Sequence, residues 1–519
     1  MNLKRSNSLM ALLSLVICVA ACSSPPNLST IVEITGGMIE GIAQDGIFAF
    51  KGIPFAAPPV GDLRWKSPQP VLPWDGVKRT DKFAPGPMQD TSFGAILGGP
   101  QEISEDCLYL NVWTGAKRAG EMRPVMVWIY GGGFGIGMTS TPTYDGGNLA
   151  KKGVVLVSVA YRVGPMGFLA HPELSAESGN GSGCYGIQDQ IAGLKWVKEN
   201  IANFGGDPSN VTIFGESAGG ISVSMLTASP MAKGLFHRAI SESGGSMAPP
   251  RASLNQAEEE GKAYLSALGA DDINAARALS AEEIQQNTRG MGSFWPVADG
   301  VTIASNQYEL FEKGEFNDTP ILVGTNSDEG GLFANQPITS PDFEAMMRKR
   351  FGDRAEALLA VYPHATDEEA LRSSKDIFRD STFAWPTWAW ATLQSRNGKN
   401  KAFVYYFDHR TPASPEGAGH GSEIAYVFGN LASMSPLGAG SDTPEDRALS
   451  ELLQSYWINF ASTGNPNGAG LPEWPAFDET EQRVLFINNE TGSRKHPNLD
   501  KITAFDAYYA KLRKGAARE

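Results

Sequence analysis

The middle of the chain alternates between nearly continuous apolar runs and stretches with helical spacing. Residues 124–130 (Pro-Val-Met-Val-Trp-Ile-Tyr) and 153–160 (Gly-Val-Val-Leu-Val-Ser-Val-Ala) have almost no polar positions, which is typical of central parallel strands covered on both faces. Residues 187–204 carry apolar side chains at the spacing of one helix face, at Ile191, Leu194, Val197 and Ile201. This alternation of strand and helix predicts a doubly wound α/β sheet.

The pattern before and after this middle section differs. Residues 31–55 alternate short β-rich runs with Gly and Asp turns, which predicts an antiparallel opening section. Residues 320–324 and 402–407 predict two more strands, and the stretch 341–395 between them is mostly helical in pattern and rich in aromatic residues. Because no repeat, low-complexity tract or long linker interrupts the chain, we expect one domain over residues 30–515.

The N-terminus has the pattern of an export signal. A basic start is followed by the apolar segment 9–21, which is too short to span a bilayer as a stable helix. This segment ends in Val-Ala-Ala before Cys22, which resembles the bacterial lipoprotein cleavage box. We therefore expect a signal peptide over 1–21, lipid on Cys22, and a tether over 22–29 that holds an outer-membrane lipoprotein facing the periplasm or the surface. The alternative is an ordinary secretory signal, which would give a periplasmic or secreted protein.

Composition and charge narrow the class of protein. Of 519 residues, 42% are hydrophobic and 19% charged, so the chain can bury a sizeable core and is not disordered. A formal net charge of -14 argues against nucleic acid or an anionic membrane surface as the main partner. In the mature chain Cys107 and Cys184 either form one disulfide or are both buried and free. No spacing of cysteines and histidines resembles a zinc site, so we predict no metal and no cofactor.

The strongest chemical motif is a serine on a sharp turn. Residues 215–219 read Gly-Glu-Ser-Ala-Gly, after a short apolar strand and before a stretch that can continue as a helix. Such a corner pushes the serine hydroxyl out of the sheet edge, and its glycines avoid collisions with the neighbouring strand or helix. The motif also occurs by chance in glycine-rich loops. The strand before it and the helix after it favour a nucleophile elbow with Ser217 as nucleophile.

A serine nucleophile needs a histidine to accept its proton and a carboxylate to hold that histidine. His420 lies in Gly-Ala-Gly-His-Gly-Ser-Glu, a loop with few side chains to block approach, and is the candidate base. Asp328 and Glu329 both follow the predicted strand 320–324 and both qualify as the acid, since composition does not separate them. We expect satisfied surface positions for the other histidines that follow the serine, namely His237, His364, His409 and His496.

A glycine run follows the first central strand. Residues 130–135 read Tyr-Gly-Gly-Gly-Phe-Gly and offer unhindered backbone amides, which are the donors that an oxyanion needs in acyl transfer. The alternative is a nucleotide phosphate loop. However, Ile136 stands where the last glycine of G-x-G-x-x-G should be, and no G-x-x-x-x-G-K-[ST] occurs. We therefore predict an oxyanion hole.

Together these motifs resemble the type-B carboxylesterase/cholinesterase family of the α/β-hydrolase superfamily. Residues 204–220 resemble its nucleophile signature and residues 104–112 its second signature. Further blocks match at residues 161–164, 325–330, 420–423 and 463–467. The resemblance implies an α/β-hydrolase fold, with a large central, mostly parallel sheet, an antiparallel N-terminal section and helical insertions over the active site.

The resemblance also implies roles for individual positions. The implied nucleophile, acid and base are Ser217, Glu329 and His420. The implied oxyanion-hole amides are those of Gly132, Gly133 and Ala218. Two residues are implied to lie next to the triad, Glu216 and Ser243. Two structural ion pairs are implied as well, Arg64 with Glu105 and Arg162 with Asp189.

The chain departs from the family pattern in three places. Residues 89–101 contain no tryptophan, so the aromatic floor that cholinesterases use for quaternary ammonium is not evident and choline esters are not the expected substrate. No cysteine stands in residues 83–89, so the disulfide that many members make from there is absent, or Cys107 pairs with Cys184. Tyr130 stands where many bacterial members have histidine, which we expect to change the packing of the oxyanion loop but not its role.

We predict an exported serine carboxylesterase that hydrolyses small-molecule carboxylic esters through an acyl-enzyme. One alternative is a non-catalytic cholinesterase-like binding module, although such members typically lose the serine that is present here. Another is an amidase or transacylase on the same triad, which the sequence does not exclude. The aromatic stretch 383–390 either lines an acyl or alcohol pocket or packs in the core. Acyl and alcohol preference and oligomeric state stay open.

Overall fold

The computed structural model of the protein describes residues 27–93, 102–286, 294–433 and 442–516. The predicted signal peptide, Cys22 and most of the predicted tether lie outside these ranges. The strands are, in chain order, β1 Ile31–Ile34, β2 Gly37–Glu40, β3 Ile42–Gln44, β4 Ile47–Pro54, β5 Val77–Arg79, β6 Gly86–Pro87, β7 Ile103–Ser104, β8 Tyr109–Thr114, β9 Arg123–Ile129, β10 Val155–Val159, β11 Gly206–Glu216, β12 Arg238–Glu242, β13 Ile321–Asn326, β14 Ala402–Phe407, β15 Arg483–Ile487 and β16 Gly492–Lys495.

Helices connect and cover these strands. They are α1 Gly147–Lys151, α2 Gly164–Phe168, α3 Pro172–Ser178, α4 Tyr185–Asn200, α5 Ala218–Ala228, α6 Leu254–Ala267, α7 Ile273–Ala278, α8 Ala281–Gln286, α9 Gln307–Lys313, α10 Ser340–Phe351, α11 Ala355–Leu359, α12 Asp367–Arg379, α13 Trp385–Asn397, α14 Ile424–Phe428, α15 Pro444–Thr463 and α16 Leu499–Ala516. A π-helical turn, Asp380–Ala384, joins α12 to α13. None of the helices among the described residues is long and apolar enough to cross a membrane.

The central sheet has eleven strands in the order β16-β15-β14-β13-β12-β11-β9-β10-β8-β4-β3. The seven neighbours from β10 across to β15 run parallel. On one side β8, β4 and β3 continue the sheet in antiparallel pairs, and on the other side β16 is antiparallel to β15. The predicted α/β-hydrolase architecture, mostly parallel with an antiparallel N-terminal section, is confirmed.

The two apolar runs of the sequence, 124–130 and 153–160, form β9 and β10 in the buried centre of this sheet. Every residue of β10 is buried, as are the last five residues of β9, because helices cover both faces of parallel strands. The predicted helix over 187–204 is shorter than expected. It ends at Asn200, and a 3-10 turn over Ile201–Phe204 leads to Gly205 in the left-handed conformation at φ 81°, the usual glycine stop of a helix.

Several side chains that the sequence left open now have a location. Cys107 and Cys184 are both buried and free of any disulfide. Trp385 and Trp390, in the aromatic stretch 383–390, are fully buried in the core. The core interpretation therefore holds for these two rings.

The surface prediction is wrong for two histidines. His409 and His496 are only 6% and 7% exposed. The His409 Nε2 atom lies 2.7 Å from Asp446 Oδ1, so a partner far along the chain makes its burial possible. Burial, together with the nearby charge of Arg379, lowers the pKa of His496 to about 3, which keeps that ring neutral in the core.

Candidate active site

The nucleophile elbow is a corner of a single residue. β11 ends at Glu216 and α5 begins at Ala218, which leaves Ser217 between them at φ 55° and ψ -124°. A residue with a Cβ is strained at such a positive φ, by about 1–3 kcal/mol. A Cβ at Gly215 or Gly219 would collide with the backbone oxygen of Ile129 on β9. The glycines are therefore required because the turn packs directly on the neighbouring strand.

A chain of hydrogen bonds links the predicted serine, histidine and acid. Ser217 Oγ lies 2.9 Å from His420 Nε2, and His420 Nδ1 lies 2.5 Å from Glu329 Oε2. His420 and Glu329 are 5% and 0% exposed. Asp328 points elsewhere, with Oδ1 3.3 Å from Arg372 Nη1. The geometry thus separates two carboxylates that composition could not.

Both carboxylate oxygens of Glu329 are held by donors. Oε1 accepts a hydrogen bond from Ser243 Oγ at 2.5 Å and another from the backbone amide of Asn326 at 2.7 Å. Oε2 faces the imidazole, as described above. Ser243 therefore lies next to the triad as expected, and it fixes the direction in which the carboxylate points.

A second carboxylate lies on the serine side of the imidazole. Glu216 Oε1 is 3.1 Å from His420 Nε2, although it has no hydrogen-bond donor in the described part of the chain. Nε2 has its hydrogen-bond partner in Ser217, so Glu216 acts on the ring through its charge. Burial lowers the pKa of His420, but the charges of Glu216 and Glu329 outweigh burial and raise that pKa to about 9. Burial also raises the pKa of Glu216 above the usual range of a carboxyl group.

The predicted oxyanion amides come from two elements. Gly132 and Gly133 have φ values of 109° and 59°, and the Gly132 carbonyl accepts hydrogen bonds from the amides of Gly135 and Ile136, both at 3.1 Å. Ala218 is the first residue of α5, so its N–H has no partner inside the helix. The oxyanion loop and the start of α5 both lie beside Ser217. The loop approaches so closely that a Cβ on Gly131 would lie 3.0 Å from the Cβ of Ser217.

Tyr130 fixes the start of the oxyanion loop. Its hydroxyl donates to the Tyr161 carbonyl at 2.8 Å, and the Tyr161 hydroxyl donates to the Tyr130 carbonyl at 2.9 Å. The two rings stack with centroids 4.4 Å apart. This reciprocal pair is the packing that the tyrosine at position 130 provides.

The loops that carry the acid and the base are bonded to one another. The Asn326 side chain donates to the Gly419 carbonyl at 2.8 Å, and the Asp328 amide donates to the Ala418 carbonyl at 2.8 Å. Ser327 Oγ accepts from the Ala418 amide at 2.8 Å. Glu329 and His420 are therefore positioned as one unit. Sequence reasoning missed Asn326, although a polar residue at the end of an apolar strand was a visible signal.

Two phenylalanine rings flank the imidazole. Phe383, in the π-helical turn, stacks on His420 at 4.7 Å and an interplanar angle of 23°. Phe333 meets the ring edge-on at 5.1 Å and is 38% exposed. The first residue of the stretch 383–390 therefore contacts the candidate base, whereas a role of this stretch in lining an acyl or alcohol pocket stays a prediction. Nothing in the sequence singled out Phe333.

The two expected ion pairs are present. Arg64 Nε lies 2.7 Å from Glu105 Oε1, and Arg162 Nη2 lies 2.7 Å from Asp189 Oδ1. Among the described residues, no group of three or more histidine, cysteine or acidic side chains has the arrangement of a metal site.

Comparison with known proteins identifies the family of the chain. The sequence profile of the carboxylesterase family matches residues 28–505. The chain belongs to this family. It is a carboxylic-ester hydrolase with an α/β-hydrolase fold.

Similar proteins include bacterial esterases. The chain is 38% identical over 510 residues to the fumonisin B1 esterase of Sphingopyxis macrogoltabida, covering 92% of this chain and 89% of that protein. It is 35% identical over 503 residues to the para-nitrobenzyl esterase of Bacillus subtilis (strain 168), covering 91% and 97%. Among solved structures, a PNB esterase superposes with a TM-score of 0.82 at 34% identity, covering 92% of this chain and 99% of that one.

Proposed function

We propose that this carboxylesterase is an exported serine hydrolase that cleaves carboxylic esters through an acyl-enzyme. Ser217 is the nucleophile, His420 the general base and Glu329 the acid. The observation that carries the proposal is the continuous chain of hydrogen bonds from Ser217 Oγ through the imidazole to Glu329, at 2.9 Å and 2.5 Å. Such a chain activates a hydroxyl that is otherwise a poor nucleophile.

The proposed reaction has two halves. In the first, Ser217 Oγ attacks the ester carbonyl while His420 Nε2 takes its proton, and the amides of Gly132, Gly133 and Ala218 stabilise the oxyanion. His420 then gives the proton to the leaving alcohol, which leaves the acyl group on the serine. In the second half, water attacks the carbonyl of the acyl-serine while His420 takes a proton from it, and His420 then returns that proton to Ser217 Oγ as the acyl–serine bond breaks and the carboxylic acid leaves. Glu329 keeps the imidazole in the productive tautomer throughout.

The substrate class is proposed at the level of carboxylic esters. Two named relatives are a fumonisin B1 esterase and a para-nitrobenzyl esterase, and the proposal takes from these names only that the substrate is an ester. Export rests on the signal pattern of residues 1–21, with lipid on Cys22 and an outer-membrane location as its specific form. Fractionation of cells that produce the full chain, beside Cys22→Ser, tests the anchor.

The first experiment is hydrolysis of p-nitrophenyl and aryl esters of increasing acyl length, with Ser217→Ala beside the parent. We expect burst kinetics in the parent and a loss of about 10⁶-fold in kcat in the variant, because the hydroxyl is the attacking atom. A fluorophosphonate should label the parent and not the variant. A folded parent that neither hydrolyses the panel nor takes the label contradicts the proposal, whereas labelling without hydrolysis points to a bulky ester or an amide.

A further inference from the structure

A row of polar side chains crosses the sheet beside the triad. Glu216, Glu242, Gly324 and Tyr405 are partners in register across β11, β12, β13 and β14. Side chains of such partners point to the same face of a sheet. Gly324 contributes no side chain, and a Cβ there would collide with the Tyr405 ring. The two carboxyl groups and the phenol therefore share one face, with the phenol ring lying over Gly324.

Glu423 adds a third carboxyl group. Its Oε2 accepts a hydrogen bond from Asn326 Nδ2 at 2.5 Å, and Glu242 Oε1 accepts one from Trp457 Nε1 at 2.8 Å. Both glutamates are 0% exposed. Within the described ranges, the second oxygen of each has no hydrogen-bond partner, and neither does the Tyr405 hydroxyl.

The surroundings contain little positive charge. Among the described residues, no lysine or arginine forms an ion pair with Glu242 or Glu423, and the basic group in the row's vicinity is His420, next to Glu216. Glu216 from β11 acts on the pKa of Glu242, and Glu242, Glu216 and Glu329 act on the pKa of Glu423. The phenol of Tyr405, from β14, interacts electrostatically with both carboxyl groups.

An ionised carboxylate accepts hydrogen bonds and donates none, and burying its charge without a partner is expensive. A proton on each group removes the charge and, with it, most of the cost of burial. We propose that Glu242 and Glu423 carry protons and form a proton-holding site beside the triad, leaving Glu216 and Glu329 as the charges that His420 feels. Burial, added to the neighbouring carboxylates, raises the pKa of both groups, in agreement with this assignment.

The catalytic consequence rests on the proposed role of His420 as base. Every additional negative charge near the imidazole makes it hold its proton more tightly. With Glu242 and Glu423 neutral, two anions stabilise the imidazolium that forms when His420 takes the serine proton. His420 can then still release that proton to the leaving alcohol. Four ionised carboxylates would oppose that release.

The first test needs no esterase activity. A carboxyl group with a raised folded pKa stays protonated in the folded protein after it has ionised in the unfolded chain, so stability falls as pH rises through that window. Glu242→Gln and Glu423→Gln mimic the neutral acid and remove this loss. From about pH 5 upward, we expect the unfolding constant of the parent to rise relative to each variant by about tenfold per pH unit, measured by urea denaturation. Glu490→Gln, whose parent side chain is 90% exposed, should show no such trend.

The second test reads the catalytic consequence. The acid limb of the kcat/KM profile should keep its midpoint in Glu242→Gln and Glu423→Gln, because a neutral group is replaced by a neutral one. Loss of an infrared carboxylic-acid carbonyl band in each variant supports the same assignment. A parent-to-variant stability difference that does not change with pH, or a limb that moves about one pH unit toward acid, overturns the proposal. If the parent lacks esterase activity, the proposed function is wrong. The urea denaturation experiment still tests whether Glu242 and Glu423 are protonated.

Discussion

Glu329 and Glu423 lie on the two bonded loops that carry the acid and the base, and both are fully buried. They differ in their donors. Glu329 has a hydroxyl, a backbone amide and an imidazole directed at its two oxygens. Glu423 has one amide on one oxygen, and its other oxygen is unpartnered among the described residues. Burial is equal in the two, so the supply of donors is what distinguishes a buried carboxylate from a buried carboxylic acid.

The largest expected effect comes from removing the charge of Glu329, the carboxylate with hydrogen-bond donors at both oxygens. Glu329→Gln keeps the size of the side chain, but its amide cannot stabilise the imidazolium or hold the imidazole tautomer. We expect kcat to fall by about 10³–10⁴-fold in ester hydrolysis. Asp328→Asn, at the adjacent residue that faces Arg372 instead, is the matched control and should stay within about twofold. Equal losses in the two variants would contradict the assignment of the acid.

A smaller effect is expected from removing one donor. Ser243→Ala takes away the hydroxyl that holds Glu329 Oε1 at 2.5 Å. Because a hydrogen bond to a charged group is worth about 1.5–3 kcal/mol, we expect kcat/KM to fall by roughly 10–100-fold. Ser241→Ala, two residues earlier at the end of β12, is the control, since its hydroxyl donates to the Gly220 carbonyl at 3.1 Å and does not touch the triad. If both variants lose activity equally, the backbone at the end of β12 is perturbed and the lost donor is not the cause.

The smallest expected effect concerns the position of the pH profile. Ionised Glu216, 3.1 Å from His420 Nε2, raises the pKa of the imidazole. Glu216→Gln removes this charge, so the pKa of His420 falls and the acid limb of kcat/KM moves to lower pH, by about one unit. The plateau should fall as well, because the imidazolium loses an anion. Profiles of parent and variant on one ester test both parts, and an unmoved limb would assign Glu216 to packing alone.

The architecture was predictable from the sequence because each central strand is a local apolar run. Contacts between segments that are distant in the sequence were not predictable, because no local pattern reports them. The burial of His409 depends on Asp446, on another element of the chain. The row from Glu216 to Tyr405 depends on strand register, which places residues far apart in sequence side by side.

The candidate site likewise has features that local motifs predicted and features that depend on tertiary packing. The elbow and the glycine loop are local motifs, so Ser217 and the oxyanion loop followed from the residues. The choice of Glu329 over Asp328 came from the family resemblance, because two adjacent carboxylates after one strand have the same local pattern. The geometry distinguishes them through the orientation of the loop. The rings of Phe333 and Phe383 reach His420 through tertiary packing. The aromatic stretch 383–390 drew attention to Phe383 without assigning it a contact, and no pattern marked Phe333.

The backbone of the elbow has a consequence for evolution. Ser217 sits at φ 55° and ψ -124°, a conformation that glycine adopts without steric cost. A population selected for stability alone should therefore drift toward glycine at this position. Only selection for turnover keeps the hydroxyl there. Among relatives that have lost activity, this corner is the place where that loss would leave a more stable protein behind.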